Sequence, residues 1–378
     1  LANHLFTNAK ALVFAGLYFD DREANRWLEK GLKLLEAELS EQILSDGAHF
    51  ELSPMYHAIV LEDCLDLINL FQCYQSSCAD EVYQKIIRCL PKMFAWLKKM
   101  THPDGDISFF NDATLGVAPT LLKLQEYAAR LKIDTVNHTD EDSHASGYYR
   151  LERDSTVVIL DAGHIGPNYQ PGHAHADTLS FEMSLGQQRL LVNSGISCYG
   201  RGVERIRQRG SAAHNTATVA HQNSSDVWSG FRVGRRSKVQ VLSAQSTCAD
   251  QHVKAKQSYY IKVGKHQQRK VVHQRTWQLQ PGVLNIIDQF KNTAHNPIQL
   301  FFHFHPLIEV SRESDRVFLL LCGGEQKARM MTEFPAHIHA SHYYPGFSKA
   351  VENQLLVVSF DASVADSITT TIQWSECR

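Results

Sequence analysis

Near residue 133 the apolar residues of this 378-residue chain change spacing, from the period of a helix to the period of a strand. A helix presents apolar side chains to a core every three or four residues, whereas a half-buried strand does so every second residue. The chain is therefore expected to build two differently made layers, one after the other. Before the change, Leu28, Leu32, Leu35, Leu39 and Ile43 draw one stripe between Asp21 and Leu44. The segment from Pro54 to about Tyr74 is similarly apolar on one side, and a third stripe runs Val82, Ile86, Cys89, Met93, Trp96, Met100. Pro91 is expected to kink or interrupt that third helix. Short polar links such as Gln75-Ser76-Ser77 and His102-Pro103-Asp104-Gly105-Asp106 favour antiparallel neighbours. Residues 1–133 thus read as helical hairpins in a bundle or toroid, and residues 134–145, polar and acidic without periodicity, as a linker. From 146 to 378 the period is two. Leu179, Phe181, Met183 and Leu185 alternate with polar residues as in a half-buried strand, and strand-like runs recur at Thr156–Leu160, Arg189–Asn193, Leu300–His305, Val317–Leu321, Leu355–Phe360 and Thr369–Trp374. With no helical pattern between them, these runs predict an antiparallel β-sandwich.

Composition narrows the function classes. At 43% hydrophobic and 21% charged residues the chain can bury a large core. Lys+Arg 38 against Asp+Glu 40 gives a formal charge of -2, which lacks the global basic field of a non-specific nucleic-acid binder. No apolar run approaches the roughly 18 to 20 residues that span a bilayer, and no basic-then-apolar leader is present. The chain opens with Leu1 rather than Met, so an upstream segment is expected. The eight cysteines, Cys64, Cys73, Cys78, Cys89, Cys198, Cys248, Cys322 and Cys377, form no C-x-x-C pair and read as free thiols.

The densest chemical signal is Gly172-His173-Ala174-His175-Ala176-Asp177. In an extended backbone His173, His175 and Asp177 would share one face. A polar loop entering a strand is the bland alternative, but two histidines and an aspartate interleaved only with alanine favour a site. Downstream, Ala213-His214-Asn215-Thr216 offers a third imidazole for an N/O metal shell, where zinc is the usual occupant. Asn193, at a strand end, is a weaker neutral donor. Arg201, Arg205, Arg207, Arg209, Arg232, Arg235 and Arg236 stand against Glu204 and Asp226, a local excess suited to a polyanionic ligand, although ordinary surface arginines give the same count. In the helical half, Asn3-His4 and Tyr56, in Leu52-Ser53-Pro54-Met55-Tyr56-His57, are candidates. His273, His303 and His305 read as structural.

These motifs, with Asn193-Ser194-Gly195 and His102-Pro103-Asp104-Gly105 in the same order, resemble the heparinase II/III-like family of bacterial polysaccharide lyases along nearly the whole chain. The resemblance implies an incomplete (α/α) toroid of helical hairpins followed by an antiparallel β-sandwich domain. It implies β-elimination at a uronic acid, in which a donor neutralises the carboxylate, a base takes the C5 proton and an acid protonates the leaving oxygen. By motif match Asn3, with His4, would hold the carboxylate; Tyr56 would be the acid and a possible base; His173 would be the base or its partner. Arg205, Arg209 and Arg232 would bind substrate. His175, Asn193 and His214 would hold a structural zinc. Asn193 replaces the family's aspartate, and Asp177 is the spare carboxylate. The implied partner is an acidic polysaccharide, with no nucleic acid and no membrane span, alongside a missing amino-terminal segment or a homo-oligomer. The family points to a bacterial periplasm or the outside of the cell, whereas unpaired cysteines lean towards a reducing compartment. Two rivals stand beside the lyase. One is a catalytically silent carbohydrate-binding or surface-polysaccharide assembly protein. The other is a glycoside hydrolase, which needs two carboxylates across the scissile bond; Asp104, Asp106 and Asp112 supply acids, while near the histidine motif Asp177 stands almost alone.

Overall fold

The computed structural model describes residues 2–74, 77–136, 144–247, 251–265 and 267–375. The centre of the expected linker and the thiols of Cys248 and Cys377 lie outside the described residues.

The helical half consists of α1 (Asn3–Tyr18), α2 (Arg22–Gln42), α3 (Pro54–Tyr74), α4 (Asp80–Lys99) and α5 (Leu121–Arg130). Asp21 starts α2 by accepting the Ala24 N–H at 2.7 Å, an N-cap that satisfies a donor the helix itself leaves open. Leu28, Leu32, Leu35 and Leu39 then bury the expected stripe. The helices pack as α1 on α2 and α3 on α4, with α1 also on α3 and α2 on α4. Two glycines permit the first of these crossings. A Cβ on Gly16 would meet the Leu28 backbone nitrogen at 2.6 Å, and one on Gly31 the Ala9 carbonyl at 2.9 Å. Pro91 does not interrupt α4, which runs through it from Asp80 to Lys99. Val82, Ile86 and Leu90 before it and Met93, Phe94 and Leu97 after it are all buried in one core, and this packing offsets the lost backbone hydrogen bond.

The second half opens with β1 (Tyr148–Arg153), β2 (Thr156–Asp161), β3 (Phe181–Leu185) and β4 (Gln188–Leu191), an antiparallel sheet in that order. A short helix, α6 (Val203–Gln208), interrupts the expected run of strands and precedes β5 (Ala217–Val219) and the small hairpin of β6 (Val227–Trp228) and β7 (Arg232–Val233). Four long strands follow: β8 (Lys238–Ser246), β9 (Gln251–Lys262), β10 (Gln268–Gln280) and β11 (Val283–Lys291). Then come β12 (Pro297–His303), β13 (Glu309–Arg312), β14 (Val317–Cys322) and β15 (Glu325–Thr332). The last are β16 (Ala336–Tyr343), β17 (Val351–Asp361) and β18 (Ser367–Gln373). An eight-stranded antiparallel sheet runs β13-β14-β15-β18-β11-β10-β9-β8, and a four-stranded one β16-β17-β12-β5. Phe181, Trp277, Phe302 and Val358, from β3, β10, β12 and β17, lie in one core cluster, so the three larger sheets share a single interior.

The halves are joined by buried polar groups. His102 donates from Nε2 to Glu182 Oε2 at 2.9 Å, and its Nδ1 lies 2.7 Å from Ser184 Oγ. Arg189 forks onto Asp104 at 2.6 and 2.9 Å. This corrects the half-buried reading of β3, because its polar positions Glu182 and Ser184 face the helical half and are buried too. Cys64 is buried, Cys73 is exposed at the end of α3, and Cys89, Cys198 and Cys322 are half-buried, all as thiols.

Candidate active site

A buried carboxylate organises the place where the halves meet. Asp112, in the loop after α4, has no exposed surface and accepts from four donors. Arg205 of α6 forks onto it, with Nη2 at 2.7 Å from Oδ2 and Nη1 on Oδ1. His173 Nδ1 lies 2.9 Å from Oδ2 and His175 Nε2 lies 2.8 Å from Oδ1. Burial alone would raise this carboxyl, but the Arg205 charge and the two imidazole bonds hold it well below the usual carboxylate range. An ionised carboxylate only accepts, so both facing imidazole nitrogens carry hydrogen. His173 therefore keeps its lone pair on Nε2. That atom looks towards Asn3 Nδ2, 3.4 Å away, which also donates to Glu51 Oε2 at 2.7 Å. Burial pushes the Glu51 carboxyl up.

Tyr56, on the first turn of α3, stacks on His173 with ring centroids 3.9 Å apart and an interplanar angle of 29°. Ser53 fixes this turn: its Oγ accepts the Tyr56 N–H at 3.2 Å and donates to the Asp112 carbonyl at 2.6 Å. The Tyr56 hydroxyl lies 2.8 Å from that of Tyr199. Burial pushes the Tyr56 phenol up to about 12 and raises Tyr199 further still. The guanidinium of Arg205 sits beneath the rings of Tyr199 and Phe231, 5.1 and 5.3 Å from their centroids.

The structure thus brings Asn3, Tyr56, His173 and Arg205 together and leaves other expected residues apart. His4 is exposed, because the next residue along a helix points about 100° away from Asn3. Arg232 is exposed on β7. Arg205 and Arg209, expected to bind substrate, are fully buried instead. Arg209 spends its donors on the Ala174 carbonyl at 3.1 and 2.8 Å and on that of Ser229, and so fixes the histidine loop. The arginine excess is largely consumed, since Arg207 forks onto Glu204 and Arg235 pairs with Asp226. His173, His175 and Asp177 do not share a strand face. They lie in turns before β3, and Leu179 at φ 65 breaks the extended run. Glu51 and Tyr199 escaped the sequence reading, and Asp112 entered it only as an acid for hydrolysis. Glu51 stands only five residues before Tyr56 and was within reach of it, whereas Asp112 is brought in by folding from 61 positions before His173.

A second buried group lies behind the first. Ligand atoms of His175, Asp177 and His214 fall within 4.8 Å of one another, and His175 Nδ1 is 3.2 Å from His214 Nε2. Burial lowers these two imidazoles to about 4 and about 3, so both are neutral and offer lone pairs near pH 7. Asp177 is raised by burial, and buried Asp161 is raised by it in turn, a pairing that a cation relieves. Two neutral imidazoles and a carboxylate suit a zinc ion. Asn193 is not the carboxylate of this set; its Oδ1 accepts the Asn215 N–H at 3.1 Å. The eight-stranded sheet props the site from below. On β10, Arg275 forks onto Asp288 at 2.7 and 3.0 Å and donates to the carbonyls of Leu179 and Asn215 at 2.8 and 2.6 Å. His273 donates to the same Asp288, and His303 bonds the Ala212 carbonyl, both structural positions.

Comparison with known proteins agrees with this layout. Residues 1–133 match the family model of the heparinase II/III N-terminus, and residues 135–375 that of the heparinase II/III-like C-terminal domain. The heparin-sulfate lyase of Bacteroides stercoris is 24% identical over 245 residues, 58% of this chain and 36% of that protein. FtsZ-localized protein C of Caulobacter vibrioides is 26% identical over 229 residues, 59% of this chain and 37% of that one. This chain thus spans little more than a third of these curated relatives. A heparinase III crystal structure superposes with a TM-score of 0.76 at 19% identity, covering 98% of this chain and 61% of that one. The heparan sulfate lyase HepC of Pedobacter heparinus superposes with a TM-score of 0.72 at 16% identity, covering 100% and 61%.

Proposed function

Because the chain belongs to the heparinase II/III-like family, we propose that it is a polysaccharide lyase that cleaves a uronic-acid polysaccharide by β-elimination, leaving 4,5-unsaturated uronate ends. In this reading α1 to α5 are the later hairpins of an (α/α) toroid, and the sheets are its β-sandwich partner. One observation carries the chemistry: Tyr56 and His173, one from each half, stack face to face, with His173 Nε2 turned away from Asp112 towards Asn3 at 3.4 Å and Glu51 Oε1 at 3.9 Å.

The steps follow from proton positions. Asn3 Nδ2, held by Glu51, donates to the substrate carboxylate, so that the C5 proton becomes removable. His173 Nε2 takes that proton, while Asp112 holds Nδ1–H and stabilises the imidazolium. The electron pair left on C5 forms the C4–C5 double bond as the bond from C4 to the glycosidic oxygen breaks. That oxygen takes the proton of Tyr56, which its raised pKa keeps on the phenol. Tyr56 is thereby an acid rather than a resting phenolate base. A zinc ion at His175, Asp177 and His214 would be structural, fixing the imidazole whose Nε2–H bonds Asp112.

Hydrolysis fits poorly even though folding brings two carboxylates to His173. Asp112 is saturated by four donors and fully buried, so it can neither donate a proton nor activate water. The second reading, a protein that binds a polysaccharide without cleaving it, is favoured by one relative whose name, FtsZ-localized protein C, gives a location and no lyase activity. The deciding test is ultraviolet absorbance of the conjugated product during incubation with a panel of uronic-acid polysaccharides. A rise supports elimination; new reducing ends without a rise mean hydrolysis; no product with any polymer means the binding reading.

A further inference from the structure

The strands that prop the site have a second face. Along β9 the buried residues alternate with Lys254, Lys256, Ser258, Tyr260 and Lys262, and along β10 with Lys270, Val272 and Gln274. Register sets Lys238 of β8 beside Ser258, Gln240 beside Lys256, and Lys291 of β11 beside Val272, all on the same side. The four strands contain a single carboxylate, Asp288, which is buried on the opposite side with Arg275. Six lysines, Lys238, Lys254, Lys256, Lys262, Lys270 and Lys291, therefore share a face without an acid. Among the described residues none of the six is in an ion pair. Between them lies a shallow cavity of about 450 Å³, lined by Lys238, Lys256, Lys270, Lys291 and the amides of Gln240 and Gln274.

Like charges crowded on one face repel, and in a chain of net charge -2 general basicity does not explain the crowding. Outward residues recur about every 6.6 Å along a strand and about every 4.8 Å across strands. Such a grid meets many anions on a linear polymer better than one small anion. The polymer's class follows from the other side chains. Gln240, Gln274 and Ser258 offer amides and a hydroxyl that match sugar hydroxyls. Single-stranded nucleic acid is gripped by stacked aromatics, and Tyr260 is the one exposed aromatic on these strands. Membrane insertion needs exposed apolar bulk, whereas Leu242 is the one large aliphatic exposed on these strands and Val272 and Ile287 are half-buried. We propose that the outward face of β8–β11 is a second binding site for an acidic polysaccharide, on the side of the sheet opposite Arg275 and the histidine loop that it braces. It takes its polymer class from the lyase reading, but the assay below reads binding alone, so binding without turnover sinks that reading and not this one.

The test measures binding of heparan sulfate and of alginate to the full chain at low ionic strength by calorimetry. Lys256→Gln/Lys270→Gln/Lys291→Gln should weaken binding of at least one of them by about tenfold or more, with a shallower salt dependence and an unchanged melting temperature. Lys123→Gln, which removes an exposed lysine from α5 instead, should bind as the unaltered chain does. Lys254→Gln/Lys262→Gln gives the same reading should the triple variant fold poorly. Unaltered affinity in the lysine variants of the sheet, an equal loss in Lys123→Gln, or duplex DNA bound as tightly and lost in parallel would each overturn the proposal.

Discussion

At the scale of single residues, the site is a set of proton positions fixed by one carboxylate. Asp112 decides which nitrogen of His173 is free, so Asp112→Asn should lower turnover by about a hundredfold or more, because the amide no longer enforces that tautomer. Steady-state rates on the polysaccharide that gives the absorbance signal check this. Tyr56→Phe should lose a similar factor with the melting temperature unchanged, since only a hydroxyl bonded to Tyr199 is removed. Unchanged turnover would remove Tyr56 from the acid role. The phenol also has a pH signature. Raised to about 12, it stays protonated where an ordinary tyrosine begins to ionise, so turnover should not fall between about pH 8 and about pH 10. A fall centred near pH 10 in the rate profile would mean that Tyr56 is unperturbed in the working enzyme.

At the scale of elements, β10 links two faces with different tasks. Its inward Arg275 reaches through the core to the carbonyls of Leu179 and Asn215, which flank the histidine loop and follow His214. Breaking this staple from behind should disturb the site without touching it. Asp288→Asn leaves Arg275 buried without its counter-ion, and denaturant unfolding should report a loss of about 3–5 kcal/mol. The expected strands missed β8 to β11 although the alternation is present in Gln251–Lys262. The outward residues there are lysines and glutamines rather than short polar groups, and the inward ones include Gln257, His273 and Arg275, which do not read as core. At Pro91 a local breaker leaves α4 uninterrupted, because apolar residues packed on both sides of it outweigh the lost hydrogen bond.

At the scale of the whole molecule, the two halves are held in register by groups that neither half satisfies alone. The His102–Glu182 pair and the Arg189–Asp104 fork fix the helical loop that carries Asp112 against the sheet. The zinc reading belongs to this scale, because His175, Asp177 and His214 close a buried set from two separated loops. Elemental analysis of the purified chain should find zinc, and His214→Ala should lose it together with several degrees of melting temperature. Equal melting of metal-free and metal-loaded protein would refute a structural role. The sequence determined by itself what depends on short range. Helical and strand periods, the capped starts of α2 and α3 and the adjacent letters around His173 and Tyr56 are local patterns, and a spacing of a few residues already encodes them. The tertiary structure alone decided that Asp112 and Glu51 stand at His173, that Arg205 and Arg209 are buried braces, and that Asp177 joins the two histidines. Those contacts join segments many tens of residues apart, and their partners are chosen by burial and charge, which no spacing along the chain records.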